Sequence, residues 1–218
     1  MKVHFLVRSA LLSILALGQL SVFSQEYQLM SSLGEFTPLS GSTVVSFNDW
    51  DDGVSVPIDL GFSFDFNGTN YTKAVASTNG FLSFNLATNS VFGNNLATTN
   101  QQVRPFIAPL WDDLAGNAGT ASYKTEGSEP DRVFTFEWLN WSWNYNSNEA
   151  VISFQVKLYE SSNEIQFVYR QEPGNIINGS ASIGLGFLGS GFISLSNSGN
   201  APEASTSVAT NNINTKPQ

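Results

Sequence analysis

The chain contains no cysteine, and its single histidine is His4. Beyond that position neither Ser-His-Asp nor Cys-His chemistry can be assembled. Imidazole and thiolate are also the usual ligands of zinc, copper and iron. A resident metal would therefore be held by oxygen alone, which points to a structural calcium; no other cofactor is expected. Without disulfides the fold must be held by burial, which a chain of this length can supply. Basic residues are scarce, with 9 Lys and Arg against 18 Asp and Glu and a net charge of −9. Such a surface repels phosphate backbones and anionic lipid, so nucleic acid is not an expected partner. Long apolar runs are missing as well. Leu11–Leu20 is about half of the ~20 residues that a membrane span needs, and no later segment is more apolar, so the chain is not expected to be membrane-embedded.

That early run fits a different purpose. Lys2, His4 and Arg8 precede it, and Val22-Phe23-Ser24 follows it as a cleavage site, the pattern of a secretory signal peptide over residues 1–24 with Gln25 as the mature start. No cysteine follows the run, which excludes a lipoprotein anchor. Without Lys2 and Arg8 the balance becomes 7 against 18, a net of −11. Residues 25–33 read as a lead-in and 34–200 as one domain. Residues 201–218 are low in large apolar side chains and read as an extended or mobile C-terminal segment.

Within the domain the hydrophobic period is two. In Val151–Tyr159, Ile152, Phe154, Val156 and Leu158 alternate with Ser153, Gln155, Lys157 and Tyr159, the pattern of a strand with one buried and one wet face. Arg132–Trp138 and Glu164–Arg170 flank it with Phe134, Phe136 and Trp138, and with Ile165, Phe167 and Tyr169. Together they predict a three-stranded antiparallel meander. Upstream, Val54–Phe66 predicts a strand, or two joined at Gly61, with Val54, Val56 and Ile58 among its inward residues. Asn67-Gly68 and Asn79-Gly80 predict tight turns. Residues 88–102 predict a long surface loop. Val103–Leu110, with Pro105 and Pro109, predicts an edge strand or one that crosses between sheets. Ala181–Phe187 and Phe192–Ser196 predict a hairpin. No segment sustains a helical period. The expected fold is all-β: a single β-sandwich, jelly-roll-like, of two antiparallel sheets.

Four groups of residues are candidates for chemistry. Asp112-Asp113 reads either as a turn capping local amides or as a calcium ligand or acid–base pair. Asp49, Asp51 and Asp52 precede Gly53, but Trp50 falls where an EF-hand loop needs an oxygen, so only a looser calcium site remains, shared with Asp112 or Asp113 if the loops meet. Trp141, Trp143 and Tyr145 alternate with Asn140 and Asn144. They read either as a cap on the core or as a platform for sugar rings, with the Asn amides bonding hydroxyls. Glu137, Glu149, Glu160 and Glu164 read as solvated glutamates, or as the source of a glycosidase carboxylate pair.

The ordered fragments GFSFDFNGTNY (61–71), STNGFLSF (77–84) and PFIAPLWDDL (105–114) resemble the extracellular domain named after nidogen. More closely, together with VISFQVKLYE, IQFVYR and SASIGLG, the chain resembles a β-rich module of exported Bacteroidota proteins, many of which end in a type IX secretion sorting domain. The resemblance runs from Leu33 to Pro217. It implies a sandwich, an extracellular or cell-surface location, no catalytic residue, and in the family a final strand beyond Pro217. The expected role is non-catalytic: recognition or adhesion at the bacterial surface, with glycan or extracellular protein as ligand. A carboxylate-pair glycoside hydrolase and a purely structural spacer are the alternatives.

Overall fold

The computed structural model describes residues 2–9, 25–199 and 201–217. They form two antiparallel sheets of seven strands each, packed as a sandwich. The first sheet holds the expected meander: β9 (Val133–Trp141), β10 (Ile152–Tyr159) and β11 (Ile165–Gln171). β8 (Thr120–Glu126) and β3 (Thr43–Val45) extend it on one side. On the other side lie β1 (Lys2–Ser9) and β2 (Gln25–Ser32), giving the order β2-β1-β11-β10-β9-β8-β3. The second sheet runs β14-β13-β12-β7-β6-β5-β4. Its members are β4 (Ile58–Phe66), β5 (Thr69–Ala76), β6 (Leu82–Ser83) and β7 (Phe106–Trp111). β12 (Ser182–Gly186), β13 (Phe192–Leu195) and β14 (Ala204–Ser205) complete it.

The alternating residues of the meander all point into the core, where Trp138 stacks on Phe154 with centroids 4.7 Å apart. The opposite face of the meander is not wet, contrary to the alternation. Ser153, Gln155 and Glu137 are buried there too. Residues 33–42 cross this face as a strap. Thr37 O accepts from Gln155 Nε2 at 2.9 Å, Leu39 N donates to Glu137 Oε2 at 3.1 Å, and Ser40 O accepts from Lys124 Nζ at 2.9 Å. Phe36 lies beneath the Arg170 guanidinium at 4.9 Å. Polar groups on that face are thus met by the strap's backbone and by one another, Gln155 Nε2 also donating to Glu137 Oε2 at 2.6 Å, with Gln155 Oε1 left buried and unpartnered.

Other expectations are corrected in detail. Val56 is 76% exposed, because the inward run begins only at Ile58. Strand β7 is neither an edge nor a crossover but the middle of the second sheet. Pro109 is tolerated because β6 reaches only as far as Ile107 and because the β7–β12 register slips between Ser182 and Gly184, so no ladder bond asks for the missing N–H. The loop 88–102 carries its own small core. Leu96 and Val103 are fully buried with Phe81, Phe106 and Trp111. Buried Arg104 holds that loop, donating to Thr98 O at 2.7 Å, Leu96 O at 2.6 Å and Gly191 O at 2.7 Å. The C-terminal segment is docked: β14 pairs with β13, and buried Ile213 bridges to Ala181. In the full chain residues 2–9 form a strand, whereas the leader reading concerns the chain after cleavage; residues 10–24 lie outside the described residues.

Candidate functional site

One end of the sandwich is organised by the turn Ser77–Phe81. Ser77 N donates to Phe81 O at 2.9 Å, and Gly80, at φ 80°, sits so close to β7 that a Cβ there would lie 1.9 Å from Leu110 O. Only glycine fits such an approach. The turn gathers the neighbouring groups. Trp138 Nε1 donates to Ser77 O at 3.0 Å and Trp141 Nε1 to Thr78 O at 2.9 Å. Asn79, fully buried, accepts Leu114 N through Oδ1 at 2.9 Å and donates through Nδ2 to Asp52 Oδ1 at 2.8 Å and Ser90 Oγ at 3.0 Å. The loop of Asp49–Gly53 is thereby held against the end of β7.

Asp112 and Asp113, just past β7, part ways. Asp112 is 5% exposed and all its bonding capacity faces the protein. Its Oδ2 accepts Trp143 Nε1 at 2.8 Å and Ser180 N at 2.6 Å; its Oδ1 accepts Ser180 Oγ at 2.9 Å and Asp113 N at 3.0 Å. With its oxygens so engaged it is a clamp of the fold, and the calcium role expected for it is corrected. Asp113 turns the other way and meets Asp51 and Asp52. Among the described residues these three carboxylates place one oxygen each within 4.8 Å of one another. Asp51 Oδ1 is buried with no hydrogen-bond partner. Burial, and then the charges of Asp51, Asp52 and Asp112, push the Asp113 carboxyl up to about 6; burial, then Asp52 and Asp49, raises that of Asp51. Asp49 stays outside the cluster: its Oδ1 caps Asp51 N at 2.8 Å.

The aromatic row is split as well. Trp141 is 0% and Trp143 1% exposed, so neither presents a face to a sugar, and the platform expectation is corrected for both. Simple alternation from Trp138 would put Trp141 on the strap side. A bulge intervenes: Trp138 pairs with Phe154 but Trp141 with Ile152, three residues against two, with Asn140 at φ 58°. The extra residue turns Trp141 back into the core. Asn140 carries that bulge, its backbone N donating to Ser153 Oγ at 2.9 Å and its side-chain Oδ1 facing Arg170 at 3.5 Å, away from the cleft-lining residues. Tyr145, 45% exposed, remains available.

Tyr145 and Asn144 line a cleft of about 210 Å³ with Asp112, Asp113, Trp143, Ile177, Asn178 and Ser180. Asp113 therefore belongs to both the acidic cluster and the cleft. Loop 88–102 adjoins them: Ser90 bonds Asn79, Val91 O accepts Trp111 Nε1 at 2.7 Å, and Asn94 Nδ2 donates to Ser180 O. Ile177, Asn178 and Ser180 are additions that hydrophobic periodicity could not supply. The one local signal is the Asn178-Gly179 pair, with Asn178 at φ 54°, which marks a turn. The candidate glutamates do not converge there. Glu137 is 2% exposed under the strap, not solvated; Glu160 pairs with Arg132; Glu164 meets His4; Glu149 accepts Asn175 N at 3.4 Å.

Among the described residues no helix is long and apolar enough to cross a membrane. No curated protein and no solved structure matches the chain. The sequence model of the NIDO-related family does match, over residues 26–218, from the second residue of β2 through every later strand, the Ser77–Phe81 turn and the Asp112–Asp113 corner. The chain belongs to the NIDO-related family.

Proposed function

We propose that the chain is a secreted, non-catalytic recognition module of the bacterial surface, and that its ligand site is the cleft between Tyr145, Asn178 and Asp113. The observation that carries this reading is the composition of that cleft. An exposed phenol ring, two asparagine amides, an isoleucine, a serine, an indole and two carboxylates line about 210 Å³. That is below the ~300–1,000 Å³ of drug-sized sites. It suits one sugar ring, with the ring stacked on Tyr145 and its hydroxyls bonded by Asn144, Asn178 and Asp113. Family membership supports the extracellular location and the leader reading of residues 1–24. Glycan retention of Tyr145→Ala and Asn178→Ala tests the site. Tyr145→Ala is expected to abolish retention with unchanged melting, since Tyr145 is exposed, and Asn178→Ala to abolish it with a slightly lowered melt, since Asn178 sits at φ 54°; retention equal to wild type sinks the cleft reading. Hydrolysis of a glycan by the wild type would favour the hydrolase instead.

Asp51, Asp52 and Asp113 are the residues that would hold a structural calcium. The reading is supported by their convergence within 4.8 Å and by the unpartnered Asp51 Oδ1. Calcium takes hard oxygen ligands and would offset three crowded charges, joining the Asp49–Gly53 loop to the end of β7. Melting in EDTA and in millimolar calcium tests it, and coincident melts remove the ion.

A further inference from the structure

We propose that the outer edge of β11 is a strand-acceptor site, filled in the full chain by residues 2–5 and, after leader removal, by an extended segment of another polypeptide. The inference rests on the leader reading above. In the full chain Lys2, Val3, His4 and Phe5 pair antiparallel with Val168, Phe167, Gln166 and Ile165. Val3 and Phe5 point inward and are fully buried, and the Phe5 ring meets Phe167 edge-on at 5.4 Å. His4 points outward, where it meets the Glu164 carboxylate and accepts from Gln166 Nε2 through its own Nε2 at 2.9 Å. The site thus reads alternate side chains: a β-branched residue, a basic or imidazole group facing Glu164, then an aromatic ring. Backbone pairing plus pockets for alternate residues is the physics of strand addition.

Loss of residues 1–24 strips this edge, and with it the only ladder partner of β2, which pairs with β1 over its whole length and with no other strand among the described residues. For β2 to close the gap it would have to move one strand spacing, ~4.8 Å. Tyr27 opposes that move. Its ring stacks on Phe187 at 5.7 Å and contacts Phe66 at 6.0 Å, and its hydroxyl accepts Asn67 N at 3.2 Å. These residues belong to β4, its turn and the β12–β13 connection, so β2 is held to the opposite sheet while β11 stands open. An open apolar edge is what folded proteins keep covered.

The test uses the full chain with a specific protease site placed within residues 10–24. After cleavage the freed N-terminal piece is stripped in mild denaturant and washed away, and the protein is challenged with a fluorescent synthetic peptide of residues 2–9, and with the same peptide carrying Val3→Asp and Phe5→Asp. Saturable uptake of the first peptide, at least about tenfold weaker for the second, and none by uncut chain is the expected result. If the cut protein unfolds on losing its strand, recovery of tryptophan fluorescence on adding the peptide supports the site equally. A folded cut protein that ignores the peptide overturns the proposal, because β2 has then closed on β11. So does unfolding that the peptide fails to reverse, or dimerisation through β11, which assigns the edge to a second copy. Intact mass showing residues 2–9 retained on exported protein sinks the leader reading and the site with it; indifference to the peptide sinks the site alone.

Discussion

The indole N–H of Trp143 donates to Asp112 Oδ2 at 2.8 Å, deep in the corner where β7 ends. The same carboxylate takes Ser180 N and Ser180 Oγ, so one side chain ties the β9–β10 connection to the segment before β12. The cleft wall formed by Trp143 and Ser180 depends on it.

Asp112→Ala leaves the Trp143 and Ser180 donors buried without an acceptor. A loss of about 2–4 kcal/mol is expected, read as a lowered urea midpoint with a red-shifted tryptophan spectrum. Asp112→Asn, which keeps one oxygen, should lose about half as much. A change below ~0.5 kcal/mol, ordinary for a surface site, would reject the clamp.

Two glycines with the same φ of 80° separate backbone strain from steric overlap. A Cβ at Gly68 meets nothing within 4 Å, whereas at Gly80 it meets Leu110 O at 1.9 Å. Gly68→Ala should cost about 1–2 kcal/mol, the left-handed penalty alone. Gly80→Ala should cost clearly more and broaden the melt, since β7 must shift to make room.

Asp113 gives a pH signature. Its folded carboxyl titrates at about 6, above the ~3.9 of an unfolded aspartate. The folded state binds the proton more tightly, so Asp113 contributes stability below pH about 4 that is lost as pH rises to about 6. In EDTA at pH 7, Asp113→Asn should therefore melt a few degrees above wild type, and the gap should close towards pH 4. Millimolar calcium should raise the wild type by several degrees and leave the variant unmoved.

The strap predicts a local effect. Glu137→Ala removes the acceptor of Leu39 N and of Gln155 Nε2, the latter at 2.6 Å. Amide exchange across residues 35–41 should accelerate at least about tenfold, with proteolysis appearing there first, while the β10 and β11 amides stay protected. Unchanged exchange at Leu39 would mean the strap is held by other contacts.

Much of this molecule is legible from period-two patterns, because a strand with one core face must place its apolar residues on alternate positions. Phe134, Phe136, Trp138, Phe154, Val156 and Phe167 are buried as their spacing predicts. The Asn67-Gly68 turn is equally local, with both residues at positive φ. Absence spoke clearly too: without cysteine, and with His4 alone, the rest of the chain has no thiol or imidazole to work with.

What the pattern leaves open is decided by contacts between segments far apart in the chain. Period-two spacing says which side chains share a face, not whether a strap will cross the other face, and so it marks Glu137 and Gln155 as wet positions where the fold buries them. It also assumes unbroken alternation, which the bulge at Asn140 interrupts, carrying Trp141 into the core. The cluster of Asp51, Asp52 and Asp113 and the cleft joining Tyr145 to Asn178 exist only because the Ser77–Phe81 turn and Asp112 draw separate loops to one corner. Local residue chemistry sets strands and turns; burial and hydrogen-bond satisfaction among distant loops decide which of the remaining polar groups face a ligand.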